Sequence, residues 1–421
     1  MNILVVGGGG REHAIIHKLR ESPRCGKIYA APGNGGIASL AQCAGIKAAD
    51  LPAIVDFAVQ NSIDYVVAAP DDPLVMGLVD LLALHGIPAF GPSKAAARIE
   101  GSKVFAKNLM KRYGIPTASY EFFSDMQDAV SYLERSQEFP TVIKTDGLAL
   151  GKGVIIAENL TEAIDAVRSM MQDKRFGESG SRIVIEEFMS GPEVSVLAFA
   201  DGKTEVPMVS SMDHKRALTG NLGPNTGGMG AIAPNPHYTQ EIAEICMRDI
   251  FLPTIDAMRR EGCAFSGCLY FGLMLTADGP RVIEYNCRFG DPEAQVVLPL
   301  LNGNLLEIML ACTNGTLSAD MLSFKDEAAA CVCMVSGGYP GGYKTGYPIS
   351  GLDEAARIRD VTVYHAGTSS CGADILTSGG RVLGITGTAG TLPAALEKAY
   401  KAVNLISFTN AYYRTDIGHI G

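Results

Sequence analysis

Three polar side chains alternate with other residues near position 285. Glu284, Asn286 and Arg288 lie two residues apart and follow the apolar pair Val282-Ile283. Alternate residues of a strand face the same way, so these three side chains would share one face. A carboxylate, an amide oxygen and a cation on one face suit a Mg²⁺ ion bridging phosphates, with the arginine directed at an anionic substrate. A solvated sheet face is the alternative, which the apolar flank disfavours.

Two lysines and a glycine-rich loop indicate a second part of a phosphate site. Lys103 follows Gly101-Ser102 on a predicted helix, and Lys144 ends an apolar strand. A buried lysine is costly unless an anion neutralises it, although a surface position fits either lysine taken alone. The loop Gly147–Gly153 carries Lys152 but lacks the GxxxxGK[ST] spacing. It fits either a plain hairpin turn or a loop that closes over β- and γ-phosphates.

The segment that begins at Glu186-Glu187 suits a nucleoside. Phe188 and Met189 follow the two acids, and Glu193 comes a few residues later. An extended segment offers backbone groups to an adenine edge, the two apolar side chains can cover its faces, and Glu193 can accept hydrogen bonds from ribose hydroxyls. Charged strand ends are also commonly just solvated.

The N-terminal glycines follow the first predicted strand, as in dinucleotide-binding units. Gly7–Gly10 precede Arg11, but the third glycine of GxGxxG is missing, and the second strand ends at Pro32 without an acid for a ribose hydroxyl. This pattern disfavours NAD and an NAD-linked oxidoreductase. It leaves a tight turn or a site for a different phosphorylated ligand.

Two further motifs lie between these groups. Asp213-His214-Lys215-Arg216 is a cationic patch, and residues 225–230 form a loop rich in glycine. His214 fits a structural role as well as a catalytic one. Taken together, the separate groups make sense as one nucleoside triphosphate site, without a GxSxG or Cys/His nucleophile.

The elements that must position these residues alternate between strands and helices. Residues 1–92 predict a doubly wound α/β domain with a parallel sheet, including one helix over residues 73–85. Residues 120–190 predict an α+β insertion, and residues 239–261 a long helix interrupted near Pro253. The last hundred residues alternate strands with glycine turns and end in a helix.

Composition narrows the class of protein. The 421 residues carry a formal net charge of −10 and are 47% hydrophobic, which excludes a disordered chain. Neither a nucleic-acid surface nor a membrane segment is predicted, because no Lys/Arg block and no apolar run of 18 residues occurs. The start lacks signal-peptide features, so we expect a cytoplasmic protein. The ten scattered cysteines are expected to be reduced and mostly buried.

In chain order, the motifs resemble the glycinamide ribonucleotide synthetase family of the ATP-grasp superfamily. They are GGGGREHA, APGN, GPSKAAA, EGSK, VIKTDGLALGKGV, EEFMSGPEVS, DHKR, NTGGMGA, EYNCRFGDPE and GGYPG. The resemblance runs from the first strand to the last helix. It implies a doubly wound N-terminal domain for the phosphoribosyl substrate (1–102), an ATP-grasp domain (103–325) with a mobile lid at about 120–190, and a small mixed C-terminal domain (326–421).

The resemblance also implies an activity and its ligands. Such an enzyme uses ATP with Mg²⁺ or Mn²⁺ to join glycine to 5-phosphoribosylamine through glycyl phosphate, in de novo purine biosynthesis. ATP would be bound by Lys103, Lys144, Gly151, Lys152, Gly153, Glu186, Glu187, Phe188, Met189, Glu193 and Lys215, and the metal by Glu284 and Asn286. The substrates would be bound by Arg11, Glu12, Asp71, Asn225, Thr226, Gly227, Gly228, Arg288, Asp291 and Arg381. Lys144, Arg288 and Asp291 would act in catalysis.

Two positions depart from the family pattern. Asp71 stands where the family usually has Glu, and the strand Tyr270–Leu275 lacks the upstream metal-binding Glu of many ATP-grasp enzymes. The alternatives are another ATP-grasp carboxylate–amine ligase with a different phosphoribosyl substrate, or a nucleotide sensor without turnover. We expect a monomer or a weak homodimer.

Overall fold

The N-terminal glycines end a buried strand at the centre of a parallel sheet. The computed structural model describes residues 1–148, 153–173 and 180–419. Its first strands are β1 Ile3–Gly7, β2 Ile28–Pro32, β3 Gln42–Cys43, β4 Tyr65–Ala68 and β5 Ala89–Phe90. They pair in parallel in the order β3-β2-β1-β4-β5. The connecting helices are α1 Gly10–Leu19, α2 Leu51–Gln60, α3 Asp71–Met76, α4 Leu78–Leu84 and α5 Lys94–Gly101, with a 3-10 turn at Ile37–Ser39. The predicted doubly wound sheet is confirmed.

One helix of this domain is shorter than expected. The prediction of a single helix over residues 73–85 is wrong, because Gly77 adopts a left-handed conformation with φ of +100° and separates α3 from α4. A glycine takes this conformation without a Cβ clash, so the chain turns there. The break lets α3 begin at Asp71, directly after β4, with the aspartate in its first turn.

A four-stranded antiparallel sheet with two helices forms the α+β insertion. After α6 Lys103–Tyr113 come β6 Tyr120–Phe123, α7 Met126–Ser136, β7 Thr141–Thr145, β8 Val154–Ala157, α8 Leu160–Met171 and β9 Ile183–Glu187. The strand order is β6-β9-β7-β8. Residues such as Leu133, Ile143 and Val167 form a hydrophobic core of their own, separate from the two cores in the rest of the chain. The insertion is therefore a unit with its own packing.

A second antiparallel sheet carries the predicted metal residues at its edge. Its strands are β10 Glu193–Asp201, β11 Glu205–Pro207, β16 Ser266–Thr276 and β17 Gly279–Asn286, in the order β11-β10-β16-β17. The long helix near residue 250 consists of α9 Gln240–Cys246, a π-helical turn Met247–Phe251 and α10 Leu252–Arg260. Helices α11 Ala294–Leu300 and α12 Leu305–Asn314 and a 3-10 turn Ala319–Met321 follow.

Strands from two distant parts of the sequence build the C-terminal sheet. Two short strands, β12 Met212–Asp213 and β15 Gly230–Ala233, join β18 Ala328–Ser336, β19 Val361–His365, β22 Arg381–Ala389 and β23 Ala411–Tyr412. Two hairpins lie outside this sheet: β13 Arg216–Leu218 with β14 Leu222–Asn225, and β20 Thr368–Cys371 with β21 Asp374–Thr377. The helices of this region are α13 Leu352–Ala356 and α14 Leu392–Val403. The cationic patch and the glycine loop are thereby attached to the C-terminal sheet.

The expectation that the cysteines are mostly buried is confirmed. All ten cysteines are unpaired and seven of them are buried. Across the described part of the chain, no helix is both long enough and apolar enough to cross a membrane.

Two histidines join the first helix to the C-terminal sheet. The backbone N–H of His365 donates to Nδ1 of His13 at 2.8 Å, and the ring centroids lie 5.6 Å apart. Asn34 spans the same junction, because its amide group donates to the carbonyls of both Gly8 and His365. Burial, with the neighbouring charges of His365 and His17, lowers the pKa of His13 to about 3, and burial lowers that of His365 to about 4.

The histidine junction predicts acid sensitivity. In the unfolded chain these histidines bind protons near pH 6.5, whereas the folded chain resists protonation, so stability falls as the pH drops below 6.5. Between pH 7 and pH 5 each buried histidine should cost about 2 kcal/mol of unfolding free energy. In urea titrations, His13→Gln should reduce this loss by about that amount, whereas His85→Gln at an exposed position should leave it unchanged. Equal pH dependence of both variants would contradict the prediction.

Candidate active site

A cavity of about 1160 Å³ lies between the N-terminal parallel sheet, the sheet β11-β10-β16-β17, the C-terminal sheet and the α+β insertion. Most of the predicted site residues line it: Arg11, Asp71, Lys103, Lys144, Gly153, Glu186, Glu187, Phe188, Met189, Glu193, Lys215, Asn225, Thr226, Gly227, Glu284, Asn286, Arg288, Asp291 and Arg381. Glu12 and Gly228 contact lining residues without being part of the wall. Gly151 and Lys152 lie outside the described residues. Residues far apart in sequence therefore share one cavity.

Glu186 is neutralised by two lysines at one end of the cavity. Its Oε2 lies 2.8 Å from Nζ of Lys144 and 3.1 Å from Nζ of Lys107. Lys107 also donates to the Thr117 hydroxyl at 2.8 Å, and Lys144 donates to the carbonyl of Ile283 at 3.2 Å. Oε1 of Glu186 is buried and has no partner among the described residues. A buried acceptor of this kind is available to a ligand donor.

Lys107 was missed by the sequence analysis. It is 3% exposed, and burial lowers its pKa to about 8 against the opposing attraction of Glu186. A signal was available, because Lys103 and Lys107 are four residues apart on one helix and so lie on the same face.

The start of the glycine-rich loop is attached to helix α6. Lys103 donates to the carbonyl of Gly147 at 3.0 Å, and Oδ1 of Asp146 accepts from the Ser102 hydroxyl and from the Val104 N–H. Arg182 pairs with the other oxygen of Asp146 at 2.5 Å. The end of strand β7, and with it Lys144, is thereby held against the first turn of α6.

In the segment after Glu186, the carboxylate of Glu187 binds other parts of the protein. Oε2 of Glu187 accepts from the N–H and the hydroxyl of Ser119, both at 3.1 Å, and Oε1 lies 3.5 Å from Arg281. Phe188 is 39% exposed, whereas Met189 is 9% exposed. Only one of the two apolar side chains is thus buried in this structure.

Glu284 and Asn286 fit a divalent cation. Burial would raise the pKa of Glu284, but Lys215, Lys144, Lys103 and Arg288 hold it below its usual value, so the carboxylate is ionised. Among the described residues it accepts no hydrogen bond, and Oδ1 of Asn286 accepts one from Arg288 at 3.2 Å. Within the described ranges, no three His, Cys, Asp or Glu side chains cluster as a metal site. A cation here would thus take most of its ligands from phosphate oxygens and water.

Arg288 connects this pair to the N-terminal domain. It pairs with Glu100 at 3.1 Å, and the other oxygen of Glu100 accepts from the Cys287 N–H at 2.7 Å. Burial and the nearby Asp71 raise the pKa of Glu100, against the attraction of Arg288. Nε of Arg288 is buried and has no partner among the described residues. Glu100 was also missed, because nothing in the sequence indicates that α5 packs against β17.

The carboxylate of Asp291 contacts three residues from different parts of the chain. Its carboxylate accepts from the backbone N–H of Arg11 at 3.3 Å and from Gln295 at 2.8 Å, and lies 3.5 Å from Arg381. Burial alone would raise its pKa, but Arg381 and Arg11 hold it below its usual value. Arg11 pairs in turn with Glu12 at 2.6 Å, and Glu12 accepts from the Gly9 N–H at 2.5 Å. The N-terminal glycine turn therefore faces Asp291.

Arg381 also holds the glycine loop. Its Nη1 donates to the carbonyls of Gly227 at 2.5 Å, Gly228 at 3.4 Å and Asp291 at 2.6 Å. Thr226 accepts the Gly228 N–H at 3.0 Å and donates to the carbonyl of Lys215 at 2.8 Å. The predicted contact of Arg381 with a substrate stays a prediction, since these bonds are to the protein.

Lys215 of the cationic patch forms an ion pair with Glu193, the residue predicted to bind the ribose. Nζ of Lys215 lies 3.4 Å from Glu193, whose attraction outweighs burial and raises the lysine pKa. His214 accepts the Gly418 N–H at Nε2, and its Nδ1 is buried and without a partner among the described residues. Burial and Arg414 lower the His214 pKa to about 4, so the ring is neutral near pH 7.

Comparison with known families gives matches along most of the chain. The phosphoribosylglycinamide synthetase N domain matches residues 1–100, the ATP-grasp (A) domain residues 101–294 and the C domain residues 329–420. The phosphoribosylamine–glycine ligase of Caldanaerobacter subterraneus is 47% identical over 99% of both chains. That of Brucella melitensis is 47% identical over 99% of this chain and 97% of its own.

Solved structures agree with these matches. The phosphoribosylamine–glycine ligase of Thermotoga maritima superposes with a TM-score of 0.86 at 30% identity, covering 99% of this chain and 100% of its own. The biotin carboxylase domain of the Hydrogenobacter thermophilus 2-oxoglutarate carboxylase, solved with MgADP, has a TM-score of 0.74 at 17% identity, covering 98% and 91%. This second likeness concerns the fold alone.

The Arg288–Glu100 pair predicts a pH-dependent defect. Arg288→Met should lower the free energy of unfolding by about 3–5 kcal/mol at pH 8, because Glu100 is left charged and buried. Without the arginine the pKa of Glu100 rises further, so the folded protein binds a proton that the unfolded chain does not, and stability recovers as the pH falls. Urea titrations at pH 5 and pH 8 measure both effects.

The double variant provides the control. Arg288→Met with Glu100→Gln removes both charges and should regain most of the stability at pH 8. An equal loss at both pH values, with no recovery in the double variant, would contradict a charge-pair origin.

Proposed function

We propose, since the chain belongs to the phosphoribosylglycinamide synthetase family, that it is the ATP-dependent ligase that joins glycine to 5-phospho-D-ribosylamine. The products are glycinamide ribonucleotide, ADP and phosphate, in de novo purine biosynthesis. The observation that carries the proposal is the shared cavity, whose wall includes Lys103 and Lys144 together with Arg11 and Asp291. The residues proposed for the nucleotide and those proposed for the substrates therefore line the same cavity.

The reaction requires an activated carboxylate. A glycine carboxylate oxygen attacks the γ-phosphorus of ATP, the bond to the ADP oxygen breaks, and glycyl phosphate forms. The amine nitrogen of phosphoribosylamine then attacks the carbonyl carbon, the carbon–oxygen bond to phosphate breaks, and the nitrogen loses a proton. No side-chain nucleophile takes part, so alignment and charge neutralisation carry the catalysis.

Cationic side chains are the main catalytic groups in this proposal. Lys103, Lys144 and Lys152 bind phosphates, and Lys152 lies outside the described residues. Lys215 also binds ATP, and Arg288 neutralises charge at the reacting centre. A divalent cation, Mg²⁺ or Mn²⁺, held by Glu284 and Asn286 would supply further neutralisation of phosphate oxygens. Glu186–Met189 bind adenine and Glu193 the ribose, which requires Glu193 to keep one oxygen free beside Lys215.

Asp291 orients the amine in this proposal. Its lowered pKa makes it a weak proton acceptor, so holding an ammonium or an amine N–H suits it better than abstracting a proton. Arg11, Glu12, Asp71 and the loop Asn225–Gly228 bind the substrates around it. The α+β unit at about 120–190 acts as the lid, because acyl phosphates hydrolyse and water must be excluded. We further propose a cytoplasmic monomer or weak homodimer.

The direct test of function is ADP release with single components omitted. Purified protein is supplied with Mg·ATP, glycine, and phosphoribosylamine formed in situ from ribose 5-phosphate and ammonia. ADP should appear only when every component is present, together with glycinamide ribonucleotide identified by mass spectrometry. ADP release that does not depend on glycine or phosphoribosylamine would contradict the proposed substrates. Nucleotide binding without turnover on these substrates would leave another ATP-grasp ligase, with a different acceptor, or a nucleotide sensor.

The metal pair gives a separate prediction. Glu284→Gln removes a charged oxygen ligand and should raise the Mg²⁺ concentration for half-maximal ADP release by about tenfold. Asp278→Asn, at an exposed acid on the adjacent turn, is the matched control and should titrate like the wild type. Superimposable Mg²⁺ titrations for all three proteins would remove Glu284 from the metal site.

A further inference from the structure

The last described residues of the chain lie across the hairpin β13–β14. The N–H of Gly220 at the hairpin turn donates to Oδ2 of Asp416 at 2.8 Å. Thr219 donates its N–H to the Tyr412 hydroxyl at 3.2 Å, and its own hydroxyl lies 3.3 Å from that of Thr415. These contacts link the turn of the hairpin to a segment almost two hundred residues later, which we call the C-terminal clasp (residues 412–419).

One ion pair, formed by a buried arginine and a partly exposed aspartate, closes the clasp. Arg414, whose side chain is 3% exposed, pairs with both oxygens of Asp416 at 2.8 and 2.9 Å. Its remaining Nη1 donates to the carbonyl of Arg216 at 3.0 Å. The pair thus holds the first strand of the hairpin through Arg414 and its turn through Asp416.

The clasp itself is anchored to helix α14. The Tyr400 hydroxyl donates to the carbonyl of Arg414 at 2.9 Å and accepts the N–H of Ile417 at 3.0 Å. One residue further, the N–H of Gly418 donates to Nε2 of His214 at 3.0 Å. The clasp therefore connects a rigid helix to the segment that contains Lys215.

Apart from the clasp, the described residues hold the hairpin mainly at its base, where Thr226 bonds to the carbonyl of Lys215. Its two strands form a sheet of their own with an irregular register between Arg216 and Leu218. Leu218 is 46% exposed and Leu222 is 63% exposed, so these apolar side chains are not buried in a core. An isolated two-stranded hairpin is marginally stable in water. Its conformation must therefore come from outside contacts, and the clasp supplies several of them.

The hairpin is part of the cavity wall. Gly220 and Asn221 line the cavity together with Arg414, Asp416 and His419 of the clasp. Lys215 lies immediately before the hairpin, and Asn225 ends it. Any shift of the hairpin consequently moves both of these groups.

We propose that Arg414 and Asp416 are positioning residues, which hold Lys215 and the loop Asn225–Gly228 in the arrangement that ligation requires. The proposal rests on the proposed function for its kinetic consequence. It makes the final segment of the C-terminal domain a part of the active site, although neither residue is assigned a contact with the reacting atoms. Misplacing an aligned group by about 1 Å can cost about 10²-fold in rate.

The test compares Arg414→Met, Asp416→Asn and the double variant with Lys398→Met. Lys398 pairs with Asp360 at 2.7 Å in the same domain without contacting the hairpin. Trypsin cleavage after Lys215 or Arg216 reports release of the hairpin, and kcat reports alignment. Thermal unfolding reports the stability of the whole chain.

The clasp variants should be cleaved at Lys215 or Arg216 faster than the wild type and should lose about 10²-fold in kcat. Because both residues act as one unit, the double variant should be no worse than either single variant. Lys398→Met should behave like the wild type in both assays. If Arg414→Met or the double variant proves too unstable to purify, the test is made with Asp416→Asn alone, because asparagine keeps the size of the side chain.

Two results would overturn the proposal. One is wild-type cleavage and kcat in both clasp variants, and the other is a loss of kcat matched by Lys398→Met, which would indicate a general stability effect. Failure of the wild type to turn over glycine and phosphoribosylamine would instead contradict the proposed function. In that case the trypsin cleavage assay still tests whether the clasp holds the hairpin.

Discussion

The carboxylate of Asp291 is where the three parts of the chain meet. The N-terminal domain reaches it through the backbone N–H of Arg11, the following helix α11 through Gln295, and the C-terminal sheet through Arg381. A buried carboxylate is stable only when such donors and cations surround it. The need to neutralise this one charge therefore brings the glycine turn, the loop at 227 and the third domain to the same end of the cavity.

Charge compensation continues along the cavity wall. Glu186 is neutralised by Lys144 and Lys107, and Glu100 by Arg288. Each group joins two elements, so the pairs fix the relative placement of sheets that share little continuous backbone. The buried polar atoms left without partners among the described residues include Oε1 of Glu186 and Nε of Arg288. Unpaired groups of this kind are costly unless a ligand satisfies them, which suits a site that binds a polar, charged substrate.

The fold was largely predictable because its signals are local. Strand–glycine–helix order predicted the parallel sheet, and the strands and helices expected over residues 120–190 predicted the α+β insertion. The single helix over residues 73–85 was wrong, since a left-handed Gly77 breaks an otherwise continuous pattern. The attachment of β12 and β15 to the C-terminal sheet was not predictable either, because no local signal records which distant strand will pair with a short one.

By itself, the sequence determined the family, the types of side chain that form the site and most of the elements that carry them. Motifs such as NTGGMGA and RFGDPE depend on residue order alone, so a single chain suffices to recognise them. Only the tertiary structure decided which charges neutralise each other. Glu100 and the pair Arg414–Asp416 have no distinguishing local pattern, and Lys107 has only its spacing from Lys103. The importance of these residues comes from partners 79 to 198 residues away. Electrostatic energy depends on distance and burial, and both are set by packing.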